Sequence, residues 1–477
     1  MIAWFSILPH LILAAGGFSI FCLGAFWRPR SAGVLSGLAL IAVFLAGAGV
    51  FLTTPEEPQF LGMLEVQGYG RFFTVLIIVI TGLTLLFSHQ YTKIRNIAGD
   101  EFYGLILLAA LGMIFVADAV HWLTFFLGLE VLSISLYVLI AMRQADPGSN
   151  EAAVKYFIVG AVSSAFLTFG IAIIYAAAGT LSIPQSLVID VPSGGISLIF
   201  LGLSLLLVGI GFKISVVPFH LWTPDVYQGA PAPVTAFLST GSKAALFAAL
   251  LRFASYSSDE LWLYLTPVLW VGAVLTMGVG TISALAQIRV KRLLAYSSVA
   301  QMGYLLMTLL AVKQEGASAI MFYLPVYALM DLGAFGSVAL LSAEKADLDA
   351  LDDYCGLAYV HPWRSAILAI SLISLAGLPP TAGFIGKFTL FWAVLQSRYV
   401  VIAIIGIIMA ILSIYFYFRV VVALFMRPAE ATISIPSVAL TDRFAGGVIL
   451  FFLLLLGLVP SPVFTIIEQI LPLRGIP

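Results

Sequence analysis

Long apolar runs separated by short polar stretches repeat along the whole chain. A membrane-spanning helix needs about 20 predominantly apolar residues. Fourteen runs meet that length, near 4–26, 33–53, 71–89, 103–118, 121–142, 152–178, 196–217, 234–254, 262–284, 293–312, 317–342, 362–395, 399–425 and 444–468. The pattern predicts an all-α polytopic membrane protein with about 14 transmembrane helices. The first run begins MIAWFSILPHLILAAGG, and the first Lys or Arg is Arg28. A signal peptide carries its positive residues ahead of the apolar core, so this run reads as a retained helix.

Two of the predicted helices are interrupted. Helix 7 runs to Val217 and meets Pro218, Pro224, Pro231 and Pro233; helix 12 contains Gly377, Pro379, Pro380, Gly383 and Gly386. Proline removes a backbone donor and clashes with the preceding turn. In a bilayer the freed carbonyls must be satisfied by protein or water, so such breaks mark wet, protein-lined cavities. The two breaks lie five helices apart, and an odd offset makes the two helices antiparallel. Paired interruptions in two halves are the sequence mark of an inverted-repeat transporter. The expected division is therefore 1–100 for helices 1–3, 101–255 for a first repeat (helices 4–8), 256–428 for a second (helices 9–13), and 429–477 for helix 14.

Composition agrees with a lipid solvent: 62% of the 477 residues are hydrophobic and 9% charged, against about 25% charged in soluble domains. A net charge of −1 gives no basis for nucleic-acid binding. Two cysteines, Cys22 and Cys355, exclude a disulfide framework and a CxxC metal or redox motif. Charge also gives an orientation. With the N-terminus outside, the odd-numbered loops hold 12 of the 22 lysines and arginines, Arg28, Arg30 and Lys345 among them, and the opposite face holds five, including Arg474. Both termini are then expected on the periplasmic side of the cell inner membrane.

Against this background a few charges stand inside helices. Lys213 lies in LSLLLVGIGFKISVVPFH, Lys243 in AFLSTGSKAALFAALL, Lys387 after LAGLPPTAGFIG, and Glu130 in WLTFFLGLEVLSISLYVLI. A charge at the bilayer centre costs roughly 2.5–3.5 kcal/mol on insertion scales, so four of them point to a path for ions or protons. Burial weakens a lysine's preference for its charged form, and a nearby carboxylate restores it. Two unit charges about 4 Å apart interact by roughly 4 kcal/mol at an effective dielectric near 20. Driving a proton against about 200 mV costs about 4.6 kcal/mol. Opening and closing a Glu130–Lys213 pair is therefore on the scale needed to load and release a proton, with Lys243 as relay and Lys387 as outlet or inlet. Arginine stays charged and could not cycle in this way.

Other polar residues carry two readings. Lys155 lies four residues past Glu151 and reads as a lysine snorkelling to the interface, as does Arg419. Asp331, in YALMDLGAFG, pairs with a lysine or bonds a backbone group. His220, in VPFHLWTPD, stands at the helix 7 break and could bridge waters. His10, His89, His121 and His361 lie near helix ends and read as interfacial. The acidic stretch EKADLDALDDY (344–354) reads as a solvated loop.

Three blocks carry a resemblance. GFKISVVPFHLWTPDVYQGAPAPVTAFLSTGSKAALFA (211–248), KRLLAYSSVAQMGY (291–304) and ISLAGLPPTAGFIGKF (373–388) resemble the signatures of the antiporter-like membrane subunits of respiratory complex I. The resemblance covers most of the chain from helix 4 through helix 13. It implies fourteen helices with inverted repeats, and a proton-translocating subunit of an NADH–quinone oxidoreductase. It matches Glu130 and Lys213 to the family's helix 5 and 7 pair, Lys243 to the helix 8 relay, Lys387 to the helix 12 residue, and Lys155 to a helix 6 lysine. Asp331 departs from the pattern, the family usually having a neutral residue there. NADH, flavin, iron–sulfur clusters and quinone are implied for the whole complex and none for this chain. The implied partners are other membrane subunits, especially neighbouring antiporter-like ones. Lys243 stands where the larger paralogues and the cation/proton antiporter subunits have a histidine, and the chain ends after helix 14 without a long lateral helix. Those two features set it apart from the larger paralogues. The alternative reading is a subunit of a cation/proton antiporter or of a membrane-bound hydrogenase, and the helix 8 lysine argues against it.

Overall fold

A computed structural model describes residues 4–27, 32–52, 59–187, 195–342, 347–428, 435–437 and 439–471. The two chain ends and Arg28, Arg30, Lys345 and Arg474 lie outside the described residues. In chain order the long helices are α1 (Leu8–Trp27), α2 (Ala32–Leu52), α3 (Tyr69–Ile94), α4 (Gly99–Asp118), α5 (Trp122–Ile140), α6 (Pro147–Ala178) and α7 (Gly195–Ile214, continuing as Trp222–Gly229). There follow α8 (Ala232–Tyr256), α9 (Asp259–Leu285), α10 (Val290–Leu309), α11 (Val312–Leu341), α12 (Pro362–Ala376, continuing as Ala382–Gln396), α13 (Val400–Met426) and α14 (Leu440–Leu458).

Among the described residues, 12 helices are long and apolar enough to cross a membrane. The two expected runs that fall short do so for different reasons. α10 carries Lys291, Arg292, Ser297, Ser298 and Gln301, all but Arg292 buried; it lies inside the protein, where those groups find partners. α12 is divided at Gly377–Thr381 into two pieces of 15 residues each. The last expected run, 444–468, is also divided: α14 stops at Leu458, and Ser461–Ile470 forms a separate short helix because Pro460 and Pro462 withhold amide donors.

Local signals set the helix ends. At α6 the Asp146 side chain accepts from Gly148 N at 3.0 Å and Pro147 opens the first turn. Its far end closes on Gly179 at φ 69°, a left-handed position suited to glycine. Packing then sorts the helices. α8 is wholly buried and α11 nearly so, while Phe44, Phe169, Leu263, Ile404 and Phe451 on peripheral helices project outward as large exposed apolar side chains. In water such a surface would drive aggregation; against lipid it is the appropriate face. A two-stranded hairpin, Gln59–Phe60 with Leu64–Glu65, joins α2 to α3.

Both predicted breaks are present, and neighbouring groups seal both. In α7, Ser215 takes φ 66° and a cis Val217–Pro218 bond follows. The Phe212 carbonyl accepts from Trp222 Nε1 at 2.8 Å, and Val217 N donates to Thr276 Oγ1 at 3.0 Å. In α12, Gly377 takes φ 81° and a cis Pro379–Pro380 bond follows. There the Leu375 carbonyl accepts from Gln301 Nε2 at 3.4 Å, and Gly383 N donates to Ser374 Oγ at 3.0 Å. The freed groups are thus satisfied by protein, as hydrocarbon surroundings require.

Candidate functional site

The α7 break ends a helix whose last turn holds Lys213, 6% exposed. Its Nζ donates to Ser133 Oγ at 2.6 Å and lies 5.9 Å from the Tyr137 ring centre, both on α5. Glu130, one turn before Ser133, is half-buried and accepts from Ser164 of α6. Glu130 and Lys213 form no direct ion pair, and the Ser133 hydroxyl that accepts from Lys213 donates onward to Leu129 O at 2.6 Å.

Lys243 is fully buried, immediately after a wide π-type turn at Leu238–Ser242. Such turns recur at functional sites. Its Nζ donates to Ser298 Oγ of α10 and sits 5.5 Å from the Tyr227 ring centre. Ser298 Oγ lies 2.6 Å from Tyr327 Oη, which donates to Asp331 Oδ2 at 3.2 Å. Asp331 therefore has the lysine partner that one sequence reading allowed, reached through two hydroxyls. Lys387, 4% exposed, reaches back across the α12 break to the Ala376 carbonyl at 3.5 Å and over the Tyr304 ring at 5.4 Å. Between Lys243 and Lys387 lie further buried polar groups. Gln301 Oε1 accepts from Tyr323 Oη at 2.5 Å, and Gln301 Nε2 reaches Tyr417 Oη at 3.3 Å. His220 is buried at the α7 break, with Nδ1 unpartnered among the described residues.

Lys155 stands apart. Its side chain is 42% exposed, 2.6 Å from Glu151 and 2.7 Å from Asp225, and Asp225 also meets Arg292 at 2.6 Å. These groups line a polar depression of about 420 Å³ at one end of the bundle. Burial opposes ionisation of Asp225, and the Lys155 and Arg292 contacts outweigh it, holding its carboxyl below the ordinary range.

The acidic stretch, expected to be a solvated loop, is different where it is described. Asp347 is 5% exposed and meets Arg95 at 2.9 Å, Arg143 at 3.5 Å and Lys291 at 2.9 Å. Burial alone would raise its carboxyl, but the three cations bring it down to about 2. Lys291, expected on a loop, is buried, and it also donates to Gln228 O at 2.9 Å and Ala230 O at 2.8 Å. These two carbonyls end the second half of α7. Arg419 donates to Leu285 O and Gln287 O, closing the end of α9. His10, expected at the interface, is buried 3.3 Å from Asp118, because Asp118 ends α4 against α1.

The profile of the NADH:quinone oxidoreductase/Mrp antiporter transmembrane family matches residues 119–413. The chain belongs to this family. Its relatives include NADH-quinone oxidoreductase subunit N 1 of Solidesulfovibrio magneticus, 48% identical over 95% of each chain, and subunit N of Geotalea uraniireducens, 44% identical over 98% of each. A chain of respiratory complex I from Thermus thermophilus, 34% identical, superposes with a TM-score of 0.82 over 96% of this chain and 98% of that one. A chain of the Mrp complex from Dietzia, 21% identical over 98% of this chain and 97% of that one, shares the fold at a TM-score of 0.81.

Within this antiporter family member, sequence reasoning had found the charged groups and missed the neutral ones between them. Ser133, Ser298, Gln301, Tyr323 and Tyr327 were not singled out. The available signal was the polarity of KRLLAYSSVAQMGY, too high for a lipid-facing helix of that length.

Proposed function

We propose that this chain is the proton-translocating subunit N of an NADH–quinone oxidoreductase, moving protons through Glu130, Lys213, Lys243, Lys387 and water, with Lys155 at the mouth of the path. The observation that carries the reading is the state of three buried lysines. Lys213, Lys243 and Lys387 lie on three different helices, and each bonds a hydroxyl or a carbonyl rather than a carboxylate. A structural lysine in hydrocarbon would be locked to an acid. A lysine that must gain and lose a proton needs neutral partners that tolerate both of its forms.

The inverted-repeat division at helices 4–8 and 9–13 belongs to the same proposal. It is supported by the two sealed breaks and by the first two helices of each unit. α4 and α5 meet through Gly112 and Gly128, and α9 and α10 through Gly280 and Gly303; a methyl group on any of the four would fall within 2.8 Å of its neighbour. The cell inner membrane with both termini periplasmic is proposed from the loop charges. Arg95, Arg143 and the α10 residue Lys291 converge on Asp347, while Arg252 near the end of α8 and Lys313 at the start of α11 pair with Glu65 and Asp259. NADH oxidation and quinone reduction belong, on this reading, to partner subunits that carry the flavin and iron–sulfur clusters. Lys243, where antiporter subunits have histidine, argues against a cation/proton antiporter.

The test is Lys213→Met in the assembled complex, with proton pumping and NADH oxidation followed in membrane vesicles. Pumping should collapse while the complex remains assembled. Unchanged pumping per NADH would overturn the proposal.

A further inference from the structure

Asp331 is the acid that the family resemblance does not account for. It is fully buried on α11, and among the described residues no cation forms an ion pair with it. Its link to a cation runs through two side chains, and the link has a direction. The Lys243 ammonium can only donate, and it donates to Ser298 Oγ. Tyr327 Oη donates to Asp331 Oδ2 at 3.2 Å. Tyr327 has one hydroxyl proton, so when that proton points at Asp331 the 2.6 Å contact between Ser298 Oγ and Tyr327 Oη has Ser298 as donor. Every donor then points from the lysine toward the acid. The four residues are all at most 1% exposed and come from three interior helices, α8, α10 and α11.

The π-type turn supplies a competing acceptor. At the end of the turn the Lys243 amide bonds Thr240 O, three residues back, instead of the i−4 carbonyl of Ser239 that a regular α-helix would use. The Ser239 carbonyl instead faces Tyr327 Oη at 3.1 Å, as close as Asp331. A single hydroxyl proton thus faces two acceptors, one a backbone carbonyl that cannot take it and one a carboxylate that can. A fixed ion pair would bring charges into contact, since separated buried charges are poorly compensated. Two hydroxyls held between an ammonium and a carboxylate are what a proton relay requires.

We propose that Asp331 is the proton acceptor of Lys243, reached through the hydroxyls of Ser298 and Tyr327. In the step an N–H bond of Lys243 breaks as an O–H bond forms on Ser298. The original Ser298 proton passes to Tyr327, and the original Tyr327 proton to Asp331 Oδ2. Ammonium and carboxylate become amine and carboxylic acid, both hydroxyls are regenerated, and no oxidant or further reactant takes part. Rotation of the Tyr327 hydroxyl to Ser239 O opens the relay. The proposal rests on proton translocation by this chain and adds to it a second acid–lysine couple, on α8 and α11 beside the Glu130–Lys213 couple.

The experiment uses the whole complex in vesicles, with proton pumping and NADH oxidation measured separately. The variants are Lys243→Met, Asp331→Asn, Tyr327→Phe, Asp331→Glu and the Lys243→Met/Asp331→Asn double. A group that carries a proton is worth about 10²–10⁴-fold, so Asp331→Asn and Tyr327→Phe should each lower pumping at least about tenfold, with Asp331→Glu restoring part of it. The double variant should pump no worse than Lys243→Met alone, since a relay broken twice is still one relay; a merely structural Asp331 would give additive losses and overturns the proposal. If Asp331→Asn reduces assembly, Tyr327→Phe, which removes one oxygen and keeps the ring, decides the matter by itself. Normal pumping by Tyr327→Phe beside a dead Lys243→Met overturns the relay and leaves the translocation reading standing. Normal pumping by Lys243→Met overturns both.

Discussion

The two broken helices, α7 and α12, share a backbone device and differ in its chemistry. Each stops, turns through a positive φ and a cis X–Pro bond, and resumes. Each has its freed carbonyl capped by a polar side chain, Trp222 in one and Gln301 in the other. Yet Lys213 has a hydroxyl 2.6 Å away and Glu130 one helical turn beyond it, whereas among the described residues Lys387 has the Ala376 carbonyl at 3.5 Å and an aromatic face. The acid of the second half sits on α11 instead, linked to Lys243. Similar breaks therefore hold a lysine with a local counter-charge and a lysine without one. On the proposed path the second would be the outlet or inlet, since no carboxylate among the described residues holds its proton.

The sharpest way to break that comparison is at Lys387. Lys387→Met should cut proton pumping at least about tenfold at unchanged assembly, a floor below the roughly 10²–10⁴-fold worth of a group that carries a proton. Lys387→Arg should not rescue it, because guanidinium stays charged and cannot release a proton. Pumping by the arginine variant at the unmodified rate would mean that Lys387 supplies charge alone, and the contrast with Lys213 would lose its functional content.

How much of this was legible follows from what each residue does. Lys213, Lys243, Lys387 and Glu130 announce themselves because lipid makes a charge conspicuous, and Pro218 and Pro380 because a broken helix is costly there. The hydroxyls between them are silent. Ser133 and Ser298 look like any serine in a helix, and their role depends on which face meets which neighbour, a property of packing and not of period. Asp347 misled for a related reason: an acidic run usually marks a solvated loop, and nothing local says that Arg95, Arg143 and Lys291 converge on it from three other parts of the chain. The α10 helix was legible by length and its interior position was not, since which helices a bundle surrounds is decided by packing.

The same comparison extends to the ends of the two breaks. The second half of α7 is anchored at the polar depression, where Lys291 holds the Gln228 and Ala230 carbonyls and Asp347 holds Lys291. Asp347→Asn should loosen that half and leave α12 unaffected. Removing one partner of a buried ion pair costs about 3–5 kcal/mol, so the thermal midpoint of the assembled complex should fall by several degrees. The carboxyl is held at about 2, against 3.8 ordinarily. Its folded value is depressed, so its stabilisation is complete above the ordinary value and is lost as pH falls from about 4 toward 2. The unmodified protein should therefore lose stability over that acid range, and Asp347→Asn should lose less there. An equal acid loss in both would assign the sensitivity to other carboxylates.

The smallest expected effect is at Lys155, where the two readings of the sequence still compete. It lies at the mouth beside the second half of α7, 42% exposed and shared between Glu151 and Asp225. Exposed ion pairs are worth about 0–1 kcal/mol, so Lys155→Met should change stability by no more than that. A lysine that feeds the path from the mouth would still slow it, while one that only snorkels would not. Pumping by Lys155→Met should therefore fall by a modest factor, about two- to fivefold for a loss of about 0.5–1 kcal/mol. The deficit should be larger at alkaline pH, where protons at the mouth are scarce, and smaller in acid. A rate unchanged across that pH range would return Lys155 to the interface and confine the α7 path to the buried couple of Glu130 and Lys213.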